Sequence, residues 1–76
     1  MNSERRKRIR EAVGFLETAK DIVTDVCSDE QNALDNMPEN LQWSDRYTAM
    51  EDAVSAMEDA VSSIDEAQEY LEKSIE

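Results

Sequence analysis

The fold is decided in the second half of the chain, at residues 50–76, which read MEDAVSA, MEDAVSS, IDEAQEY and LEKSIE when written in sevens. With the first position of each seven labelled d, mostly apolar residues recur at d and at a, alternately three and four residues apart. That alternation is typical of the contact stripe of a coiled coil. The d residues are Met50, Met57, Ile64 and Leu71, and the a residues are Tyr47, Val54, Val61, Gln68 and Ile75.

The two flanks of this stripe differ in charge. The g positions carry small residues, which are Ala53, Ala60, Ala67 and Ser74. The e and f positions carry carboxylates, which we call the acidic face: Glu51, Asp52, Glu58, Asp59, Asp65 and Glu66. They form the largest patch of a single sign in the chain. Such a patch favours association with a basic partner, so we treat the acidic face as the candidate partner-binding surface.

The first half is also predicted to be helical, with a wider apolar face. Two sets of residues recur every seven positions: Ile9, Leu16 and Val23 in one set, and Ala12, Ala19, Val26 and Ala33 in the other. Val13 and Cys27 flank them on one side, and Phe15 and Ile22 flank them on the other. A face wider than about 100° indicates contact with more than one helix. Lys20 and Glu30 interrupt this face, and we expect them at its edges.

The two helices are joined by a short connection. Pro38 has no N–H and ends the helix before it, and Ser44 is a favoured N-cap residue. Leu41 and Trp43 are expected to close the hairpin end. We therefore predict an all-α fold with one domain at 1–76: a helix at about 3–36, a connection at about 37–44 and a helix at about 45–75. A capping-box pattern at Ser28 allows a break there, but the apolar spacing continues through it and favours one helix.

Equal arms with a short connection predict an antiparallel helical hairpin. For one chain of 76 residues, apolar burial and lost conformational entropy nearly cancel. We therefore expect self-association into a helical bundle, a dimer or higher oligomer. The expected hairpin and oligomer core consists of Ile9, Leu16, Val23, Met50, Val54, Met57, Val61, Ile64 and Leu71.

Composition argues against several classes of function. The chain has 19 acidic and 8 basic residues, a net charge of −11, no His and one Cys. Without His to act as a general base or to activate Cys27, we expect no catalysis. The one Gly, Gly14, is not in an acidic loop, so no metal site is expected, and no cofactor. The chain lacks an apolar span or leader, so we expect a cytoplasmic protein with no membrane partner.

Positive charge is concentrated at the start of the chain. Residues 1–10 contain Arg5, Arg6, Lys7, Arg8 and Arg10 against Glu4 alone. In an antiparallel hairpin this cluster lies beside the acidic end of the second helix, which gives it a structural explanation. The alternative is a phosphate-binding patch, since guanidinium groups suit phosphates. Direct binding to duplex DNA is not expected, because the rest of the surface repels it.

A resemblance covers most of the chain. It is carried by Glu30-Gln31, Ala33, Asp35-Asn36, Pro38-Glu39, Leu41-Gln42 and Met50-Glu51, after an ERRKRI start. These segments resemble small acidic proteins found in phages and prophages of Gram-positive and gut bacteria. The resemblance implies a phage origin and action in a bacterial host, and it implies no activity and no functional residues.

Three hypotheses for the function follow. The first is a non-enzymatic protein that binds a basic host protein, such as a defence or nucleic-acid-binding protein, and inhibits it by nucleic-acid mimicry. The second is an oligomeric sponge for phosphorylated or cyclic nucleotides that uses the Arg-rich start. The third is a structural or accessory phage protein.

Overall fold

Two long helices form the whole architecture. The computed structural model describes residues 1–76, with helix α1 at Ser3–Asp35, a short 3₁₀ helix at Glu39–Leu41 and helix α2 at Asp45–Ser74. The helices pack antiparallel along their length, so the molecule is a hairpin with extents of 59 × 15 × 13 Å. No strand is present. The predicted all-α hairpin is thus confirmed.

Side-chain caps define where both helices begin. The Asn2 Oδ1 accepts a hydrogen bond from the Arg5 N–H at 2.8 Å, and the Ser44 Oγ accepts one from the Tyr47 N–H at 3.2 Å. Each cap satisfies an N–H group that has no partner within the helix. Helix α1 runs through Ser28 without interruption, as the continuous apolar spacing predicted.

The connection is closed by polar contacts. The Gln42 side-chain amide donates to the Met37 carbonyl at 3.3 Å, and the Ser44 hydroxyl donates to the Leu41 carbonyl at 2.6 Å. Trp43 is 94% exposed and Leu41 is 45% exposed. The prediction that these two side chains close the hairpin end is therefore wrong. The turn after the 3₁₀ helix is closed by the Ser44 N–H and hydroxyl, which both donate to the Leu41 carbonyl, and the Trp43 ring is left in solvent.

The stripe of α1 that contacts α2 lies within the wide apolar face predicted for this helix, and it includes the expected core residues Ile9, Leu16 and Val23. Half-buried or buried side chains recur at alternating spacings of three and four residues, and they are Ile9, Val13, Leu16, Lys20, Val23, Cys27, Glu30 and Leu34. Lys20 and Glu30 thus lie within the contact stripe, and their expected placement at its edges is wrong. The Ala19 and Ala33 side chains, by contrast, are exposed.

Very little of the molecule is fully buried. Only Leu34 and Val54 are buried, each with 6% of its surface exposed, and both lie toward the hinge end of the hairpin. The remaining apolar residues of the contact stripes are half-buried, because each helix covers only one side of the other. The single hairpin therefore has no enclosed core of its own.

Candidate functional site

A cluster of four polar side chains links the two helices near their middle. The Lys20 Nζ lies 3.0 Å from the Glu17 Oε2 and 3.0 Å from the Asp65 Oδ1. The Gln68 Nε2 donates to the same Glu17 oxygen at 2.8 Å. The Gln68 Oε1 also accepts from Lys20 at 3.5 Å. This polar layer explains how Lys20 and Gln68 are accommodated in stripes that are otherwise mostly apolar.

The cluster shifts two protonation equilibria. The hydrogen bond from Gln68, followed by that from Lys20, lowers the pKa of Glu17 below its usual value of 4.5. The hydrogen bonds to Asp65 and then to Glu17 raise the pKa of Lys20 above 10.5. Both shifts favour the charged forms. Glu17 and Lys20 are therefore both charged at neutral pH.

This cluster also shows which surfaces of the two helices share a side of the hairpin. With a and d in contact, e and g lie on opposite flanks of each stripe. In the contact stripe of α1, Ile9, Leu16 and Val23 hold d positions and Lys20 holds an a position, so Glu17 is at e. Asp65 is at e in α2, and both carboxylates contact Lys20. The e flanks of α1 and α2 therefore share one side of the molecule. The g flanks, represented by Ala19 and Ala67, must share the other side.

The acidic face lies along the e side and the adjoining f positions of α2. All six carboxylates, which are Glu51, Asp52, Glu58, Asp59, Asp65 and Glu66, belong to exposed residues. Of the six, only Asp65 forms an ion pair, the one with Lys20. The other five carboxylates face solvent without a basic partner, so their negative potential is not neutralised locally.

Two open grooves adjoin the acidic face on the hinge half of the molecule. The first has a volume of about 350 Å³ and is lined by Thr24, Cys27, Ser28, Gln31, Glu58 and Val61. The second has a volume of about 270 Å³ and is lined by Gln31, Leu34, Glu51, Val54, Ser55 and Glu58. Glu58 and Gln31 border both grooves. Each groove therefore combines apolar lining with a carboxylate at its edge.

The basic cluster lies at the opposite end from the hinge. Arg5 and Arg8 line a shallow groove together with Met1 and Ile9. None of Arg5, Arg6, Lys7, Arg8 and Arg10 lies within 4 Å of a carboxylate. The cluster is thus beside the acidic end of α2 without forming direct ion pairs with it.

Other candidate features have simple surroundings. The Cys27 thiol lies half-buried, 3.8 Å from the Val54 carbonyl. No group of three or more acidic, Cys or His side chains is arranged to hold a metal ion. No helix combines the length and the apolar character needed to cross a membrane.

Sequence reasoning missed the roles of Glu17 and Gln68. Gln68 occupies an a position, where a polar residue is unusual, and Lys20 interrupts the apolar face of α1 at a matching height. The two exceptions together were the available signal, because a polar residue in each of two facing stripes predicts a cross-helix contact.

Comparison of the chain with protein-family models, with curated protein sequences and with solved structures gives no match.

Proposed function

We propose that this protein is a non-enzymatic binding protein whose acidic face engages a basic surface of another macromolecule. The observation that carries the proposal is the row of five exposed carboxylates without basic partners on one side of α2. A concentrated field of one sign speeds association with an oppositely charged partner.

The two grooves beside the acidic face are suited to lysine and arginine side chains. The aliphatic part of a lysine or arginine side chain packs on apolar surface while its charged end stays near solvent. Cys27 and Val61 offer such a surface in the first groove, and Val54 and Leu34 do so in the second. Glu58 is placed to receive the charged end in either groove. The partner surface is therefore expected to present exposed Lys or Arg side chains.

We propose a bacterial host protein as the partner, in the cytoplasm of a phage-infected cell. On one helix face, successive e carboxylates such as Glu51, Glu58 and Asp65 lie about 10 Å apart. A regular row of negative charge resembles a nucleic-acid backbone in charge, so a defence or nucleic-acid-binding protein is the class that fits. Occupation of its basic groove would inhibit it by competition.

The test compares two variants that remove the same number of charges. Glu51→Gln with Glu58→Gln removes two carboxylates that line the grooves, whereas Glu11→Gln with Asp25→Asn removes two exposed carboxylates of α1. Each protein is immobilised and used to capture host proteins at low and high salt. We expect wild type and the α1 variant to capture the same basic protein at low salt, and the groove variant to lose it. Equal capture by all three proteins would contradict the proposal.

A second function is favoured by the Arg-rich start. Arg5 and Arg8 share a groove and have no carboxylate within 4 Å, so both are available for a phosphate. A sponge for phosphorylated or cyclic nucleotides is the corresponding function. Calorimetric titration with cyclic nucleotides tests it: Arg5→Gln with Arg8→Gln should abolish the heat, and the distant Arg46→Gln should retain it. An absence of heat with wild type argues against a sponge for these nucleotides.

We further propose that the protein self-associates. The support is the small amount of buried surface, since only Leu34 and Val54 are buried in one hairpin. Self-association would give the chain the enclosed core that two helices alone lack.

A further inference from the structure

One side of the hairpin is apolar along most of its length, and most of its residues are exposed. We call it the apolar face. On α1 it consists of Ala12, Phe15, Ala19, Ile22 and Val26, and on α2 it consists of Ala49, Ala53, Ala56, Ala60, Ser63, Ala67 and Tyr70. None of these residues is charged.

The α1 and α2 parts of the apolar face lie on the same side of the hairpin. Lys20 contacts an e residue of each helix, so the e flanks share one side and the g flanks share the other. Ala12, Ala19 and Val26 hold g positions of α1, and Ala53, Ala60 and Ala67 hold g positions of α2. The remaining members occupy the adjoining c positions, one step further from the contact stripe. The apolar face is therefore opposite the side that carries Glu17, Glu58 and Asp65.

Large apolar side chains on this face are exposed. Phe15 is 67% exposed, Ile22 is 59% exposed and Val26 is 50% exposed. These three lie on one helix at spacings of seven and four residues, so they form a continuous row and are not isolated surface residues. A contiguous exposed row of this kind marks an interaction surface.

The hairpin exposes more surface than a compact monomer of its mass, which is expected if a partner covers part of it. The chain exposes 5726 Å², whereas a compact monomer of 8.7 kDa exposes about 4,700 Å². The excess of about 1,000 Å² is comparable with the roughly 800 Å² that each partner buries in a standard protein interface. One interface on one face would bring the exposed area to the value expected for a compact protein.

The face is complementary to itself. Its α1 stripe carries the bulky side chains Phe15, Ile22 and Val26, whereas its α2 stripe carries alanines over most of its length. A two-fold axis parallel to the hairpin sets α1 of one copy against α2 of the other. Ile22 and Val26 then meet small residues of the facing helix, whereas Phe15 lies at the level of Tyr70, and the same contacts occur twice.

Charge supports the same arrangement. With the axis along the hairpin, the Arg-rich start of α1 lies beside the acidic end of α2 in the second copy. That end carries Glu69, Glu72 and Glu76, and Lys73 is its only basic residue after Arg46. Opposite charges at matching ends favour this pairing over random orientations.

We propose that the apolar face binds a second copy of this chain, forming a four-helix bundle in which α1 of each copy packs on α2 of the other. This proposal rests on the self-association proposed above. It adds which surface of the hairpin forms the interface and how the helices of the two copies pack. It is independent of the acidic face, which stays on the outside of the bundle.

The first test measures mass by sedimentation equilibrium. Wild type should have twice the chain mass of 8.7 kDa. Ile22→Glu and Ala60→Glu place a carboxylate on the α1 and α2 stripes, and Thr24→Glu adds the same charge on the opposite side. We expect each face variant to raise the dissociation constant by about 100-fold or more and the Thr24 variant to leave it nearly unchanged.

A second test does not require a stable variant monomer. In a Cys27→Ser background, the proposed arrangement brings position 22 of one copy close to position 63 of the other, because Lys20–Asp65 and Glu17–Gln68 set these positions at one level. Mixing Ile22→Cys with Ser63→Cys under mild oxidation should give a disulfide-linked dimer, and mixing Thr24→Cys with Ser63→Cys should not. Self-cross-linking of Ala19→Cys, which requires a copy turned end over end, would contradict the arrangement.

Two further outcomes distinguish self-association itself from the use of the apolar face as its interface. A wild-type mass of 8.7 kDa at about 200 µM would overturn both the face and self-association. A dimer that persists in Ile22→Glu and Ala60→Glu would overturn the face and leave self-association standing. Neither result bears on capture of a basic protein by the acidic face.

Discussion

Lys20 of α1 and Asp65 of α2 are joined across the hairpin, with 3.0 Å between the Nζ and the Oδ1. Lys20 also holds Glu17 at 3.0 Å, so a single ammonium group connects a carboxylate from each helix. These contacts place both e flanks on one side of the molecule, and they divide its surface into an acidic side and an apolar side.

Asp65→Lys should destabilise the hairpin more than Asp59→Lys. The change at position 65 removes the contact with Lys20 and sets two ammonium groups close together. Asp59 is exposed and has no basic partner, so the same change there relieves repulsion along α2. We expect the melting temperature to fall for the first variant and to stay level or rise for the second, as measured by circular dichroism. Equal effects would show that the Lys20 contact does not persist in solution.

Glu17→Gln should lower the melting temperature at neutral pH, and the difference from wild type should disappear in acid. Folding lowers the pKa of Glu17 below 4.5, so its contribution to stability is present above about pH 4.5. The contribution is lost as the pH falls through the lower pKa of the folded state. Melting curves at pH 7, 5 and 3 check this, with Glu11→Gln as the control on an exposed carboxylate. A difference that stays constant over this range would rule out the assigned linkage.

Much of the fold was predictable because its signals are local. The heptads of α2, the break before Pro38 and the N-cap at Ser44 each depend on a few neighbouring residues. The contact stripe of α1 was not predictable in the same way. Its helix carries two adjacent apolar stripes, and apolarity alone does not say which of them contacts α2. The stripe that contains Lys20 contacts α2, where Asp65 and Gln68 bind the Lys20 ammonium group. Only the register of the two helices shows that these partners are at the level of Lys20.

The candidate site was predictable only in part. The acidic face follows from e and f positions in a regular helix, so its six residues could be named from spacing. The grooves beside Glu58 depend on how the helices meet, because Cys27 and Gln31 come from the other arm. The exposure of Trp43 also depends on the turn geometry, which local sequence does not determine.

Gly14→Ala should stabilise the protein. Gly14 lies within α1, and a Cβ atom added there meets nothing within 4 Å. Alanine lowers the entropy of the unfolded chain without creating a clash, so we expect a gain of about 0.5–1 kcal/mol in the free energy of unfolding. Urea denaturation followed by circular dichroism measures it. A loss of stability would indicate a close contact at Gly14 in the assembled protein.

Added salt should raise the melting temperature. The net charge is −11 and the hairpin contains three ion pairs, so repulsion between carboxylates outweighs attraction. Raising sodium chloride from about 20 mM to about 0.5 M shortens the Debye length from roughly 20 Å to roughly 4 Å. If screening contributes about 1 kcal/mol, the melting temperature rises by about 4–8 °C. Neutralising Asp59 and Glu66 should make this rise smaller, and a fall with salt would mean that attractive pairs dominate.

Leu34→Ala should be far more damaging than Leu41→Ala, although the two leucines lie seven residues apart near the same end of the hairpin. Leu34 is 6% exposed, whereas Leu41 is 45% exposed. The buried change leaves a cavity beside α2, and we expect a loss of about 2–4 kcal/mol in the free energy of unfolding. The exposed change should cost less than about 1 kcal/mol, because its side chain already contacts water. Urea denaturation of both variants at one protein concentration gives the comparison, with helicity measured first to confirm folding. Similar losses for the two variants would mean that Leu41 is covered in solution, most simply by another copy of the chain.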